Sequence, residues 1–427
     1  MTFLTGWNSA CRRAAKTCTI FFGAVVFLST LMICHASAYD GSSFHPPKSL
    51  QSSNRDFVRR WEANPPRGYP TLAKANIKAT KTAIRRYKMI VRGGGWPRMP
   101  KQELEVGMTS PTVKLLRRRL MLSGDLRSGT LTSQYFDYAL EKAVRRFQAS
   151  NGLTPTGNID KRTLAALNVP AKARLRQLQR GLSRLRGLVA KASRNKRYIV
   201  VNIPAAQVEA VEGGKVVSRH SGVVGKPDRQ TPILTSRIHE LNFNPIWRLP
   251  PTVITEDLIP KGRKMQRAGK NVLIKYGIDA YSGNRKLNPK KINWNSSQPF
   301  NLSYRQKSGK DNPMGFLKIN FHNGHSVYMH DTPSDTIFGR NFRAASSGCI
   351  RVQNIESLAA WILKPQGASL ASVKHMKETG ETKNIRVKKT VPLYFAYITA
   401  WATPDGIIQF RRDLYRKDGV AATASAY

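Results

Sequence analysis

A cysteine and a histidine 19 positions apart carry the most specific chemical signal in the sequence. His330 ends the segment Val327-Tyr328-Met329-His330, and Cys349 follows Ser346-Ser347-Gly348. A free thiol is mostly protonated at neutral pH, whereas a nearby imidazole can remove its proton and then stabilise the thiolate. The pair therefore predicts nucleophilic acyl transfer, with Cys349 as the nucleophile and His330 as the general base.

Groups beside Cys349 predict how a substrate would be held. Gly348 lets the backbone approach the substrate closely, and the N–H groups of Ser347, Gly348 and Cys349 are expected to form an oxyanion hole. Arg351 is expected to hold an anionic group of the substrate through a bidentate pair. These assignments indicate a site in which a substrate that carries an anionic group acylates the Cys349 thiol.

Three further assignments leave alternatives open. Tyr328 shares a strand face with His330 by alternation and is expected to form a pocket wall, with simple packing as the alternative. Trp247 and Trp294 are expected to line the cleft, although burial in a core explains each equally well. Asp331 could orient His330, but adjacent strand residues point to opposite faces, which argues against that role.

A metal site is the alternative use of the histidines in this region. His322 and His325 flank the turn Asn323-Gly324, close to His330. No Cys, Asp or Glu is spaced to complete a tetrahedral set of ligands, so we expect exposed hairpin ends. The spacing of these histidines therefore predicts no metal site.

The first 38 residues have the layout of a secretory signal peptide. Arg12, Arg13 and Lys16 precede an apolar run over 20–34, and Ala36-Ser37-Ala38 forms a small-residue cleavage pattern. An uncleaved membrane anchor is the alternative, but the run is short against the roughly 20 residues that span a bilayer. We expect a periplasmic protein that contacts the membrane only transiently, through this segment.

The distribution of cysteines supports a functional thiol. The four cysteines are Cys11, Cys18, Cys34 and Cys349. Cleavage after Ala38 would leave Cys349 without a disulfide partner in an oxidising compartment. A buried core cysteine is the ordinary explanation of a lone thiol, but the residues around this one favour a nucleophile.

The charge of the chain is far from balanced. Lys and Arg number 71 against 25 Asp and Glu, which gives a net charge of +46. Segment 1–38 holds three basic and no acidic residues, so its removal lowers the charge to +43. So basic a protein should bind a polyanion. Because an exported protein rarely meets nucleic acid, we expect an anionic envelope polymer instead.

The 427 residues exceed one ordinary core, and the hydrophobic periodicity changes along the chain. Residues 39–105 form a polar, proline-containing lead-in and a helical segment. A compact module of three helices follows over 106–169, and a basic linker helix over 170–195. Residues 196–420 are mostly of strand period, interrupted at about 250–300, and 421–427 form a tail. The fold class is therefore multidomain α+β.

Several elements near the predicted site can be placed. Strands are expected at Phe316–Phe321 and Ser326–His330, joined by a tight hairpin across Asn323-Gly324. A helix is expected over Ile355–Leu363. A strand over Pro392–Trp401 is expected to pair with the segment from Gly406 to Phe410.

These residues resemble the bacterial L,D-transpeptidases. The family signature is a strand-terminal His, a loop, and then Ser/Thr-His-Gly-Cys with an apolar residue and Arg. His330, Ser346, Gly348, Cys349 and Arg351 match it. Ser347 stands where most members have a second His, as in the large periplasmic subgroup.

The resemblance extends over residues of about 70 to 427. The entry to the lid of that subgroup is similar to Asn244-Pro245, Trp247 and Pro250-Pro251, and its closing strand is similar to Thr399-Ala400-Trp401. The segment from Val106 to Asn168 is similar to a small peptidoglycan-binding module. The resemblance thus implies a β-rich catalytic domain with an inserted lid at about 250–300.

The resemblance also implies a reaction. Cys349 attacks the carbonyl of the diaminopimelate in a tetrapeptide stem of peptidoglycan and expels the terminal D-alanine. The amine of a second stem then resolves the thioester and forms a 3→3 cross-link. Ser346, Arg351, Tyr328 and Trp247 are assigned to substrate binding, and carbapenems are expected to acylate the thiol. The resemblance implies that the reaction uses neither a metal nor an organic cofactor.

The sequence leaves other functions open. Water could resolve the thioester, which would make the protein an L,D-carboxypeptidase, or a protein amine could do so and anchor an outer-membrane protein to the wall. A non-catalytic wall-binding protein would also fit the helical module and the charge. The motif around Cys349 and His330 argues against that last alternative, since a pure binder needs no free thiol.

Overall fold

The computed structural model describes residues 68–127, 129, 131–309 and 311–419. The predicted signal peptide over 1–38, the lead-in as far as residue 67 and the tail over 421–427 lie outside this range. Within the described range, each helix is too short or too polar to cross a membrane.

The N-terminal part is helical, as the 3.6-residue periodicity predicts. It begins with helix α1 and continues with the compact three-helix module α2–α4 and the long basic helix α5. Their bounds are α1 Lys74–Arg92, α2 Pro111–Ser123, α3 Tyr138–Ser150, α4 Lys161–Leu167 and α5 Ala171–Ala192.

Side-chain caps set the starts of the three module helices. At the start of α2, Ser110 directly precedes Pro111 and accepts from the N–H of Thr112. Asp137 likewise accepts from the N–H of Leu140 in α3, and Asp160 from the N–H of Thr163 in α4. Each cap satisfies one of the N–H groups that a helix start leaves unpaired. The helices then bury a shared apolar core that includes Val113, Leu116, Leu120, Leu140, Val144 and Phe147. This is the predicted three-helix module.

The module is joined to the following domain by polar contacts. Thr154 donates its hydroxyl to the amide oxygen of Asn341 at 2.8 Å. Arg411 donates to the carbonyl of Ser150 at 3.0 Å, and Gln177 of α5 donates to the carbonyl of Arg411 at 3.0 Å. Helix α5 also packs closely on the domain, because a side chain at Gly181 would lie 1.9 Å from the carbonyl oxygen of Ala400.

The second domain is built on a nine-stranded sheet. Its strands are β1 Arg197–Asn202, β2 Gln207–Glu212, β3 Lys215–Gly225, β4 Leu234–Phe243, β9 Leu317–Phe321, β10 Met329–His330, β11 Ala344–Ser346, β12 Ile350–Val352 and β13 Lys383–Ala396. They are ordered β11-β3-β12-β10-β9-β4-β13-β1-β2, and β2 also pairs with β3. That last pairing closes the sheet into a barrel. Strand β14 Ala400–Ala402 pairs with β15 Ile408–Phe410 outside it.

The barrel core is apolar and is covered by helix α8 Ile355–Leu363 and helix α9 Leu370–Thr379. Inward-facing residues of alternating strand positions, such as Ile199, Val201 and Ile319, are fully buried with Leu358 and Ile362 of α8. The predicted helix Ile355–Leu363 is therefore confirmed. The predicted multidomain α+β fold, β-rich after a helical module, is confirmed as well.

Local predictions differ from the structure in two places. The predicted hairpin across Asn323-Gly324 is a longer loop, because the Asn323 side chain accepts from the N–H groups of both His325 and Val327. The predicted strand over Pro392–Trp401 is split between β13 and β14, since Asn202 accepts from the N–H of Ile398 and bends the chain there.

The interruption near 250–300 is a folded insertion between β4 and β9. It holds a separate four-stranded sheet, β5 Trp247–Arg248, β6 Ile278–Ser282, β7 Arg285–Lys286 and β8 Ser303–Gln306, ordered β5-β8-β6-β7. A helical turn Pro251–Val253 and a π-helix Ile254–Leu258 lead into α6 Ile259–Arg267, and α7 Val272–Tyr276 follows. These elements share a core that includes Leu258, Ile259, Val272, Leu273, Trp294 and Tyr304.

Candidate active site

Strands β10 and β12 bring the predicted nucleophile and base to one face of the barrel. They run parallel, with His330 opposite Arg351 and Met329 opposite Ile350. Met329 and Ile350 are fully buried, so the alternate positions on each strand point the other way. The four residues on that other face are Tyr328, His330, Cys349 and Arg351.

A tight turn presents Cys349 just before β12. Ser346 accepts the N–H of Gly348 on its hydroxyl at 3.2 Å and donates that hydroxyl to the carbonyl of Cys349 at 2.6 Å. Gly348 has φ of +114°, in the region that disfavours a side chain. Thr231 donates its hydroxyl to the carbonyl of Gly348 at 2.8 Å and holds the turn from outside.

This turn changes two predicted roles. The N–H of Gly348 is already bonded to Ser346, so it does not serve as an oxyanion donor in this arrangement. Ser346 is 4% exposed and uses its hydroxyl inside the turn, so it shapes the loop rather than reaching substrate. The backbone N–H groups of Ser347 and Cys349 remain as the donors for an oxyanion hole.

Cys349 is a free, half-buried thiol. Burial raises the pKa of this thiol, while hydrogen bonds from Tyr328 and the positive charges of Lys318 and Arg351 act in the opposite direction. Since burial has the larger effect, the resting sulfur is a protonated thiol that needs a base.

His330 is buried and held in one tautomer. Its Nδ1 lies 2.6 Å from the carbonyl oxygen of Asp331. A carbonyl only accepts, so Nδ1 carries the proton, and the carbonyl of Pro313 also interacts with the ring. Burial and the nearby Arg351 lower the pKa of His330 to about 3, so the imidazole is neutral at physiological pH.

The structure refines the expectation for Asp331. Its carboxylate accepts the N–H of Phe316 at 3.0 Å and faces Gly315, away from the imidazole. The argument from strand alternation against a carboxylate–imidazole pair therefore holds. The main-chain carbonyl of Asp331, which sequence reasoning did not consider, is what orients His330.

The guanidinium of Arg351 is not fully hydrogen-bonded. In the described part of the chain, its buried Nε makes no hydrogen bond. The guanidinium lies next to His330 across the strand pair and interacts electrostatically with Cys349. A partly buried cation without a bonded acceptor is suited to an anionic substrate group.

Sequence reasoning missed Lys318. On β9 it lies opposite His330, and its Nζ sits 4.5 Å from the centre of the Tyr328 ring. Burial lowers the pKa of Lys318, while the neighbouring Cys349 acts to raise it. The alternation of Leu317–Phe321 marks Lys318 as outward-facing, but only the register with β10 places it at the site.

Tyr328 links Cys349 to the insertion. The indole N–H of Trp247 donates to the Tyr328 hydroxyl at 3.1 Å. The hydroxyl therefore has its own proton to offer to the Cys349 sulfur, and it also contributes to lowering the pKa of that thiol. Trp294, in contrast, is 2% exposed in the core of the insertion and does not line the cleft.

Arg229 is a second residue that the sequence did not single out. Its guanidinium donates to the exposed Ser347 and forms ion pairs with Glu256 at 2.5 Å and Asp257 at 3.0 Å, both in the π-helix of the insertion. No motif marks this loop arginine, which lies 118 positions before Ser347.

Metal chemistry finds no support in these side chains. Among the described residues, no three His, Cys, Asp or Glu side chains converge in a way that could hold a metal ion. His322 is exposed at its loop and stacks on His239, with ring centres 4.1 Å apart.

Comparison with known proteins shows which families the chain resembles. The family model for the L,D-transpeptidase catalytic domain, YkuD, matches residues 196–387, and the model for a putative peptidoglycan binding domain matches residues 109–167. A putative L,D-transpeptidase from Haemophilus influenzae is 31% identical over 223 residues, which are 52% of this chain and 44% of that protein. The chain thus spans less than half the length of this relative.

Two solved structures show the same kind of similarity at low identity. The L,D-transpeptidase LdtMt1 in complex with imipenem is 16% identical, with a TM-score of 0.24 over 47% of this chain and 59% of the other. An L,D-transpeptidase from Xylanimonas cellulosilytica is 17% identical, with a TM-score of 0.22 over 70% of this chain and all of the other (100%).

Proposed function

Because its catalytic domain over residues 196–387 makes the chain a member of the L,D-transpeptidase family, we propose that it cross-links peptidoglycan through a Cys349 thioester. The observation that carries the proposal is the shared face of β10 and β12, on which Cys349, His330 and Arg351 meet. A neutral imidazole beside a protonated thiol is the pair that acyl transfer requires.

In the first step, Nε2 of His330 takes the proton of the Cys349 thiol as the sulfur attacks the diaminopimelate carbonyl of a tetrapeptide stem. The N–H groups of Ser347 and Cys349 stabilise the oxyanion. The C–N bond to the terminal D-alanine then breaks, and the imidazolium returns its proton to the leaving amine. The enzyme is left as a thioester.

In the second step, the side-chain amine of another stem attacks the thioester carbonyl. Nε2 of His330 takes a proton from this amine, the C–S bond breaks, and the proton returns to the sulfur. The products are a 3→3 cross-link and the free thiol. Arg351, which carries an unpaired Nε, is suited to a carboxylate of either stem.

The chemistry can be tested with the purified protein and isolated cell wall. Mass spectrometry of the muropeptides should reveal 3→3 cross-links, and intact-mass analysis should show one carbapenem bound per chain. Both signals should vanish in Cys349→Ala, whereas His330→Ala should lose about 10²- to 10⁴-fold in rate. His322→Gln, at an exposed histidine, is the control.

The outcomes separate the proposed reaction from its alternatives. Tripeptide stems without cross-links would replace transpeptidation by hydrolysis as the function. Cross-links formed by Cys349→Ala would refute the mechanism itself.

We also propose that the protein acts in the periplasm and that its positive charge holds it to an anionic envelope polymer. The net charge of +46 supports this, and the match of residues 109–167 to a putative peptidoglycan binding domain supports binding to the wall. Retention on isolated walls should fall as salt rises through physiological strength, where the screening length is about 8 Å. Salt-independent retention would assign binding to the helical module alone.

A further inference from the structure

A basic cavity of about 250 Å³ lies away from Cys349, where helices α1, α2, α3 and α5 meet the loop between β14 and β15. Its walls include the rings of Tyr87, Phe147 and Phe410. Five arginines face two aspartates in the lining: Arg86, Arg119, Arg127, Arg146 and Arg174 against Asp125 and Asp405. So many like charges around a small space repel one another unless an anion is present.

Among the lining residues, Arg119 gives the strongest indication of a ligand. Its side chain is 1% exposed, and its guanidinium stacks on Trp96 at 3.7 Å from the ring centre. Its Nε donates to the carbonyl of Leu167 at 3.1 Å, whereas its buried Nη1 has no hydrogen-bond partner among the described residues. A buried, unsatisfied N–H of a cation is costly, which indicates an acceptor that the chain itself does not provide.

Two other arginines are fixed at the same wall by main-chain carbonyls. Arg86 donates to the carbonyl of Leu122 at 3.0 Å, and Arg146 donates to the carbonyl of Asp125 at 2.9 Å. Gly124, with φ of +84°, allows this approach, because a side chain there would lie 2.5 Å from the Arg86 guanidinium. The guanidinium groups are thus held in place around the cavity before any ligand arrives.

The two aspartates offset only part of this charge, because five arginines line the cavity. The Asp125 carboxylate accepts from the Ser123 hydroxyl at 2.5 Å and interacts with the charges of Arg119, Arg146 and Arg86, although burial raises its pKa. Asp405 accepts from the hydroxyl of Thr403 at 2.5 Å within its own turn. The net charge of the cavity lining is therefore positive, and a dianion would balance it better than a monoanion.

We propose that this cavity is a binding site for a compact phosphate group, either free phosphate or the phosphomonoester of a sugar. Phosphate oxygens match the forked geometry of guanidinium groups, and several arginines can share one dianion. Because α2 and α3 belong to the helical module and the β14–β15 loop to the catalytic domain, a bound phosphate would tie the two together.

The test is calorimetric titration of the purified protein with inorganic phosphate and with glucose 1-phosphate, using sodium acetate and sodium chloride at equal ionic strength for comparison. The double variant Arg86→Gln, Arg146→Gln removes two cavity arginines. The double variant Arg85→Gln, Arg118→Gln removes the same charge from exposed positions on α1 and α2. Carbapenem acylation of each variant checks that it is folded.

We expect one phosphate site per chain, weakened at least tenfold in the cavity variant and within twofold of the original in the control variant. Tighter binding of glucose 1-phosphate would support the proposal with a sugar phosphate as ligand, and tighter binding of inorganic phosphate would support it with free phosphate. Equal binding of acetate, equal losses in the two double variants, or no binding above that of chloride would each overturn it.

Discussion

The guanidinium of Arg229 donates to the hydroxyl of Ser347, two residues before the nucleophile, across 3.0 Å. The same guanidinium pairs with Glu256 and Asp257 of the insertion. Arg229 therefore connects the turn that presents Cys349 to the segment that we expect to act as a lid. The carboxylates are about half exposed, so each pair is individually weak.

Replacing Arg229 by Gln should uncouple the insertion from the turn. Exposed pairs are each worth about 0.2–1 kcal/mol, so losing both pairs should lower the population of the closed arrangement by about two- to thirtyfold. A more open site admits water, and the ratio of hydrolysis to cross-linking should rise by a similar factor. Muropeptide analysis measures this ratio, with Arg237→Gln, on the far end of β4, as the charge-matched control. An unchanged ratio would argue against a lid closed by Arg229.

The neutral state of His330 depends partly on Arg351. The pKa of His330 is lowered to about 3, so the acid limb of carbapenem acylation should lie well below the ordinary histidine value of about 6.5. Arg351→Gln removes a positive charge that disfavours the imidazolium, so the limb should move to higher pH. Arg351→Lys keeps the charge and should keep the limb. Identical pH profiles for the two variants would exclude this electrostatic coupling.

Tyr328→Phe should raise the pKa of the Cys349 thiol, because it removes a hydroxyl that bonds to the sulfur. Acylation should slow by about ten- to hundredfold at pH 7, as expected from losing one hydrogen bond to a charged group. The deficit should shrink at alkaline pH, where the thiol ionises unaided. Tyr394→Phe, whose hydroxyl bonds to Asn195, is the control. A deficit that persists at high pH would instead indicate a packing role for Tyr328.

His220 should make the protein sensitive to acid. It is buried between the carbonyl of Gln353 and the hydroxyl of Ser218, and burial lowers its pKa to about 4. Between about pH 6.5 and 4 the unfolded chain binds a proton that the folded chain does not, so the free energy of unfolding falls as pH falls.

Urea unfolding at several pH values between 7 and 4 can test this. His220→Gln should flatten the dependence by up to about 1.4 kcal/mol per pH unit. His322→Gln, at an exposed histidine, should leave it unchanged. Equal slopes in the two variants would assign the acid sensitivity to other groups.

Local chemistry explains why much of the fold could be predicted. The apolar spacing of α2–α4 acts within a few residues, so the sequence alone reveals these helices. Strand β10 was harder to predict, because its two residues are set by pairing with β9 and β12 rather than by local preference. The hydrogen bonds of Asn323 that replace the expected hairpin are local, but their acceptor is a side chain, which strand periodicity does not reveal.

The residues of the site also differ in whether the sequence alone could predict them. Cys349, His330 and Arg351 could be predicted because two short segments, 19 positions apart in the sequence, carry the chemistry. Lys318 and Arg229 come from distant segments, and only strand register and loop packing bring them close. The hydrogen bond of the Gly348 N–H could not be predicted either, because its acceptor is the side-chain hydroxyl of Ser346, two residues earlier.

The pairing of β1 with β13 has a consequence for how the catalytic domain folds. These strands run parallel, with Ile199 opposite Leu393 and Asn202 opposite Ala396, so partners nearly 200 positions apart must meet. During synthesis, the barrel lacks a central strand until its last part has emerged, and β4 is left with an unpaired edge. Such non-local closure is intrinsically slow and exposes strand edges to aggregation. We therefore expect nascent chains that end before residue 383 to depend on chaperones.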